Sequence, residues 1–410
     1  MDTFEGRHSV LSSAVPIEFW IVLPVKNPGW AHDILKNLSW GISAAGHKSM
    51  FVFDHGTFEA RKKVTEAIKK KHQAGEPLVV IDLFLRLNDV GLPSGHETRH
   101  FSIIGDSPIH HFNRLRKSSP STVLGIPDRR YEEIYKVVGL KHRCVFMPYS
   151  GCDPIPNALP MGERDIDLLF TGTIGMTPYS PAWNKLVEGL PRLVKEAVNE
   201  ALDVTLNEDT AAFMALINAL EKRGVDWHTE NGKTLFQAHK AVETYAETLR
   251  RIEILTAMEG LNLHFMGDVS YDVSKQICGF TKFHKFTDFE NMLELVKRTK
   301  LLINICPKLA GGAHTRIWNG IAHGCVNATT RSSFLDEEFE DGVDLLNLPD
   351  DSLDLNGRLS ELLRDNEKLD DMVCNAKKKY TAKHLWRHRA ADIAREMIQP
   401  KSSVPPDLMF

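Results

Sequence analysis

The feature that most constrains this chain is a recurring pattern: a short apolar run, a turn, then a segment with helical spacing. IEFWIVLP at 17–24, MFVFD at 50–54, LVVIDLF at 78–84, DIDLLFTG at 165–172 and LLINIC at 301–306 are such runs. A strand with one wet face alternates apolar and polar residues, whereas a strand covered on both faces has no need to. Unalternated runs separated by helices predict parallel sheets with helices on both sides.

Further runs extend the pattern: RHFSIIG at 99–105, STVLG at 121–125, CVFMP at 144–148, LNLHFMG at 261–267 and CVNATT at 325–330. Helical spacing is read from Trp30 to Gly46, Phe58 to His72, Trp183 to Val198, Thr210 to Arg223 and Gln237 to Met258, and over 288–298 and 313–323. Proline and glycine concentrate between Gly151 and Gly162, where regular structure is disfavoured. A length of 410 residues suits more than one domain. The expected units are a first domain over 1–160, a second over 161–375, and a charged helical tail over 376–410 that packs on the first lobe.

Composition excludes several classes. With 50 Lys+Arg against 54 Asp+Glu the formal charge is −4, which gives no support for a nucleic-acid partner. The six cysteines are far apart, as expected of reduced thiols rather than a structural zinc site. No apolar run is long enough to span a bilayer, and the N-terminus lacks a leader pattern, so the expected location is cytoplasmic, with peripheral membrane contact left open.

The most informative stretch is 301–342, where a strand opens into the loop CPKLAGGAHTRIWNG. Gly311 and Gly312 permit close backbone approach, and the amides of a helix starting near Ala313 suit phosphate oxygens. His314 and Arg316 add donors, with Lys308 and Thr315 beside them, and Asn319 further along can hydrogen-bond a ligand hydroxyl. The same glycines also fit a plain tight helix entry. In TGTIG after the 165–172 run, Thr171, Gly172 and Thr173 form a loop able to approach a phosphate or to serve as a packing turn. Lys26, in LPVKNPGW, lies in the corresponding loop near the N-terminus.

On the stretch INICPKLAGGAHTRIWNGIAHGCVNATTRSSFLDEEFEDG the chain resembles GT-B glycosyltransferases, in particular the CgeB-like and related family-1-type proteins. The resemblance implies an α/β fold of two Rossmann-like lobes with a nucleotide-sugar site in the cleft between them. It implies that His314 and Arg316 contact the donor diphosphate and that Glu340, Asp341 and Gly342 mark a turn beyond that segment. Many retaining relatives carry two glutamates where this chain has Gly311 and Asn319, so the retaining pattern is absent here.

In the first lobe, IIGDSPIHHFNRL places Asp106, His110 and His111 just after an apolar run, where a base can face the cleft. Asp106 equally fits an Asx turn or helix cap. The expected activity is transfer of a sugar from a nucleotide-sugar donor to an unidentified acceptor, with no tightly bound cofactor and no required metal. The other reading is an inactive nucleotide-sugar-binding protein of the same fold.

Overall fold

The computed structural model describes residues 17–25, 29–87, 91–92, 98–175, 180–208, 210–228, 232–277, 279–285, 288–348 and 354–398. Lys26 lies outside these residues. Two six-stranded sheets organise the chain. The first comprises β1 (Glu18–Pro24), β2 (Lys48–Asp54), β3 (Leu78–Leu83), β4 (Thr98–Ile103), β5 (Val123–Ile126) and β6 (Arg143–Phe146), in the order 2-1-3-4-5-6. The second comprises β7 (Ile166–Thr171), β8 (Leu263–Met266), β9 (Thr281–His284), β10 (Thr299–Asn304), β11 (Val326–Thr330) and β12 (Leu346–Leu348), in the order 12-11-10-7-8-9. Every ladder pair is parallel. These are the parallel α/β sheets that the apolar runs predict, arranged in the two Rossmann-like lobes that the resemblance implies.

The helices of the first lobe are α1 (Gly29–Ala44), α2 (Phe58–Gln73), α3 (Phe112–Lys117) and α4 (Tyr131–Val137). Between β7 and β8 come α5 (Pro181–Val187), α6 (Arg192–Asn207), α7 (Ala212–Lys222) and the long α8 (Gly232–Thr256). The remaining helices are α9 (Tyr271–Ile277), α10 (Phe289–Lys297), α11 (Thr315–Ala322), α12 (Ser333–Glu338), α13 (Leu355–Arg364), α14 (Asn366–Lys383) and α15 (Trp386–Ile398). The single helix expected over 183–198 is two, because Pro191 has no N–H to continue a ladder and stands as the N-cap of α6. Strands β9 and β12 escape sequence reading because TKFH and LNL are too short to show a period.

Each sheet has one point where the chain reverses its direction of growth across the sheet: β1/β3 in the first, β7/β10 in the second. Crevices outside the carboxyl ends of strands at such points are where open α/β sheets hold ligands.

One apolar core, including Ile21, Leu35, Phe101, Leu216, Val242, Trp318 and Trp386, joins the first sheet to the helices between β7 and β8, to α11 and to α15. A second, around Phe170, Phe265, Ile303, Leu359 and Met372, belongs to the second sheet. The end of the chain returns to the first lobe. Helix α15 packs on α1 at Gly41, where an added Cβ would stand 2.6 Å from Ala390 Cβ and 2.7 Å from Arg387 Cα. Arg143 pairs with Glu396 at 2.7 Å.

Candidate functional site

At the β7/β10 reversal, the side chain of Arg316 turns inward from the first turn of α11. Its Nε donates to Thr171 Oγ1 at the end of β7 (2.9 Å), and Nη1 donates to Asn304 Oδ1 at the end of β10 (2.7 Å). Asn304 is itself oriented by donating to Thr329 Oγ1 on β11 (2.9 Å). Burial, followed by the neighbouring Arg251, brings the Arg316 guanidinium down to about 10, which leaves it charged at neutral pH. Arg251 reaches the same place from α8. Its Nη1 donates to the Thr173 carbonyl (2.7 Å), its Nη2 to Glu247 Oε1 (2.6 Å) and its Nε to the Ile305 carbonyl (3.3 Å). The two guanidiniums lie 5.6 and 5.7 Å from the Phe170 ring centroid.

Backbone approach is close here because Gly267 adopts φ +142°, and a Cβ on it would stand 1.9 Å from the Gly172 carbonyl oxygen. The Gly172 N–H donates to Met266 O (3.0 Å). Lys308 adds a third cation, 4.0 Å from Glu247 Oε1. Burial disfavours its charge, but Glu247 outweighs that and holds its pKa above the usual lysine value.

The glycine turn does something other than the sequence suggests. Gly311 N–H donates to Asp128 Oδ2 (2.9 Å), Gly312 N–H donates to Leu309 O (3.1 Å), and Gly312 bridges Asp128 of the first lobe. The anion in this cradle is the protein's own carboxylate: a Cβ at Gly311 would lie 2.5 Å from Asp128 Oδ1, and one at Gly312 would lie 1.9 Å from Pro127 O. The Gly311 and Gly312 amides are thus both engaged within the protein. Asp128 is fully buried and also accepts from Arg130 N (2.8 Å) and Nη2 (3.2 Å).

Helix α11 starts at Thr315, two residues later than the sequence suggests, because His314 is its N-cap. His314 Nδ1 accepts the Arg316 amide (3.1 Å). Burial, then Arg316, Lys308 and Arg251, keeps this imidazole neutral, far below the usual histidine range. Only its other nitrogen can donate. Asn319 is half-buried, and its carbonyl accepts the His323 amide (3.1 Å).

In the first lobe the two adjacent histidines part company. His110 faces α8, with Nε2 3.3 Å from Glu243 Oε2. His239 Nε2 lies 3.9 Å from the other oxygen of Glu243. Burial would raise the Glu243 carboxyl, yet His239, His110 and Lys308 together hold it at about 2, while burial lowers His239 to about 4. Among the described residues, His110, His239 and Glu243 form the group able to hold a metal ion, with ligand atoms within 4.8 Å of one another.

His111 turns instead toward the β1/β3 reversal. It stacks on Phe84 with centroids 4.9 Å apart, and its Nε2 lies 4.0 Å from Asp106 Oδ2. Burial outweighs Asp106 and lowers His111 to about 4, so the ring is neutral at physiological pH. Asp106 is half-exposed at the rim, and its charge is felt by Lys308 across the cleft.

Sequence reading missed the contribution of α8. His239, Glu243, Glu247 and Arg251 recur every four residues and so share one helical face. That polar stripe runs from His110 in the first lobe to Thr173 in the second.

Two facing Rossmann-like lobes, with strand-end clusters at both reversals, define the GT-B class of fold. Within it, residues 227–395 match the glycosyl transferase-like family model. The fold is similar to that of sucrose-phosphate synthase from Thermosynechococcus elongatus, at 12% identity and TM-score 0.54, covering 93% of this chain and 98% of that one. A glycosyltransferase from Rickettsia africae is 9% identical with TM-score 0.49, over 94% and 100% of the two chains. A DNA-modifying β-glucosyltransferase is 12% identical with TM-score 0.49, over 94% and 100%. No curated protein sequence matches the chain. No described helix is long and apolar enough to cross a membrane.

Proposed function

We propose that this chain is a glycosyltransferase that moves a sugar from a nucleoside diphosphate donor to an acceptor nucleophile. The observation that carries the reading is Arg316, buried at the β7/β10 reversal, within the stretch that matches the glycosyl transferase-like model, and fixed there by Thr171 and Asn304. Arg251 and Lys308 stand beside it, so a diphosphate at the strand ends meets three fixed cations. As the acceptor oxygen attacks the anomeric carbon, the bond from that carbon to the diphosphate oxygen breaks and the diphosphate takes the electron pair. Cations already held in place stabilise that growing charge without reorganising.

The proton of an acceptor hydroxyl goes to the Asp106 and His111 pair. His111 is neutral and therefore able to accept it, and Asp106 stabilises the imidazolium that results. His314 caps α11 and so aims Arg316, and Asn319 lies further along the same helix.

Incubation with a panel of nucleotide sugars and mass detection of transferred or hydrolysed sugar tests this reading. Donor binding should weaken about tenfold or more in Arg316→Lys, which keeps the charge but loses the paired fork geometry. Donor binding without transfer or hydrolysis would favour a sugar-nucleotide-binding protein. No binding of any donor would reject both.

A further inference from the structure

Beside the polar stripe of α8 lies a cluster that the transfer chemistry does not use. His239 and Glu243 stand four residues apart on α8, the spacing that puts two side chains on one face of a helix. His110 meets them from the short 3₁₀ turn Pro108–His111 of the first lobe. One nitrogen from each imidazole and an oxygen of Glu243 all lie within 4.8 Å of one another. The separation is 3.3 Å from His110 Nε2 to Glu243 Oε2 and 3.9 Å from His239 Nε2 to Glu243 Oε1. Ligand atoms at about 2.0–2.1 Å from a tetrahedral zinc ion stand about 3.3–3.4 Å from one another, so the first separation already has the length of a coordination edge.

The protein itself leaves these rings without full bonding. His110 Nε2 and His239 Nδ1 are both buried, and among the described residues neither has a hydrogen-bond partner. His110 Nε2 is close to the carboxylate but misaligned for such a bond. His239 is 1% exposed, and a ring at that depth with an unmet nitrogen asks for a partner that the chain does not supply. Aromatic rings close the inner side: Phe236 stands edge-on to His110 with centroids 5.5 Å apart, and Phe213 edge-on to His239 at 5.8 Å. The His110 side chain is 23% exposed, which leaves a way in for an ion and for water. Lys308 is the cation whose charge reaches both His239 and Glu243, and Glu247, 4.0 Å from its ammonium, offsets its repulsion of a second cation.

We propose that His110, His239 and Glu243 bind one divalent transition-metal ion of the zinc type, which ties the first lobe to α8. Two imidazoles and one carboxylate suit an ion of borderline softness, whereas magnesium and calcium prefer oxygen ligands alone. Three protein ligands leave a further position to water. His111 turns away toward Asp106 and takes no part, but it follows His110 directly, so the ion steadies the turn that carries it. The site needs neither nucleotide nor sugar and stands independently of the transferase reading.

The test uses the full chain, stripped of metal by a chelator and then titrated with Zn2+, Co2+ and Mg2+ separately. A single equivalent of Zn2+ should bind and raise the melting temperature as its concentration rises, and Co2+ should take the same site, with visible absorption reporting nitrogen and oxygen ligands. Mg2+ should do neither. His110→Ala, His239→Ala and Glu243→Gln should each weaken Zn2+ binding by about a hundredfold or more, beyond the loss of about 10–100-fold typical of residues that only support a ligand. His284→Ala removes a different histidine pair, His264–His284 in the second lobe (3.0 Å), and should bind Zn2+ as the wild type does. Thermal unfolding checks that each variant is folded; should the three fail, anomalous scattering at the zinc edge from wild-type crystals decides by where the ion lies. An ion between His110, His239 and Glu243 supports the proposal. An ion elsewhere, no stoichiometric binding, or binding unchanged in the three variants overturns it.

Discussion

Protonation at His111 makes a sharp residue-scale prediction. Its folded value of about 4 lies below the ordinary histidine value of about 6.5, because burial disfavours the charged ring. A depressed histidine favours the folded state fully above 6.5, and that contribution is lost as pH falls from 6.5 toward 4, where the unfolded chain binds the proton first. His239 and His384, both lowered to about 4 by burial, act in the same direction. Denaturation midpoints should therefore decline between pH 6.5 and 4. The acid limb of kcat/KM, if His111 is the base, should lie well below 6.5; a limb at 6.5 would argue against that role. At this scale some residues are legible and others are not. Thr171 closes a strand and Arg316 lies in the first turn of a helix, both ends announced by their neighbours in sequence, and the fold joins them by a hydrogen bond. His110 and Glu243 sit in unrelated stretches, and only the packing of α8 against the first lobe brings them together.

Elements carry a different kind of constraint, in which a missing side chain matters more than a present one. Gly312→Ala would drive a Cβ to 1.9 Å from Pro127 O, a rigid backbone atom of the other lobe. Overpacking of this kind costs about 1–3 kcal/mol. Gly189→Ala, where an added Cβ meets nothing within 4 Å, should change stability far less. Thermal unfolding of the two variants checks the contrast, and equal melting temperatures would contradict the lobe contact. The apolar runs made the strands legible because a strand covered on both faces must be apolar throughout, as β3 is apart from Asp82. The glycine turn was legible as an anion cradle, but its occupant was not. Asp128 lies 183 positions away in sequence, and nothing local marks it as the partner. The α8 stripe was open to reading from its four-residue spacing, but four polar residues on a long helix look the same whether they face water or a cleft.

On the scale of the whole molecule, the chain leaves the first lobe after β6, builds the second, and comes back as α15. Deleting α15 would uncover Gly41 on α1 and remove Trp386, Ala390 and Ile393 from the joint core. Uncovering that much apolar surface should lower the unfolding temperature and increase binding of a hydrophobic dye, whereas a folded, dye-silent truncation would show that α1 needs no cover. The outward and returning strands of this passage do not cross independently. Gly151 N–H donates to His384 O (3.1 Å) and Trp386 N–H donates to Gly151 O (3.0 Å), so the two crossings are laced side by side. Two connections tied at one point cannot bend separately, so parting the lobes requires both to yield together.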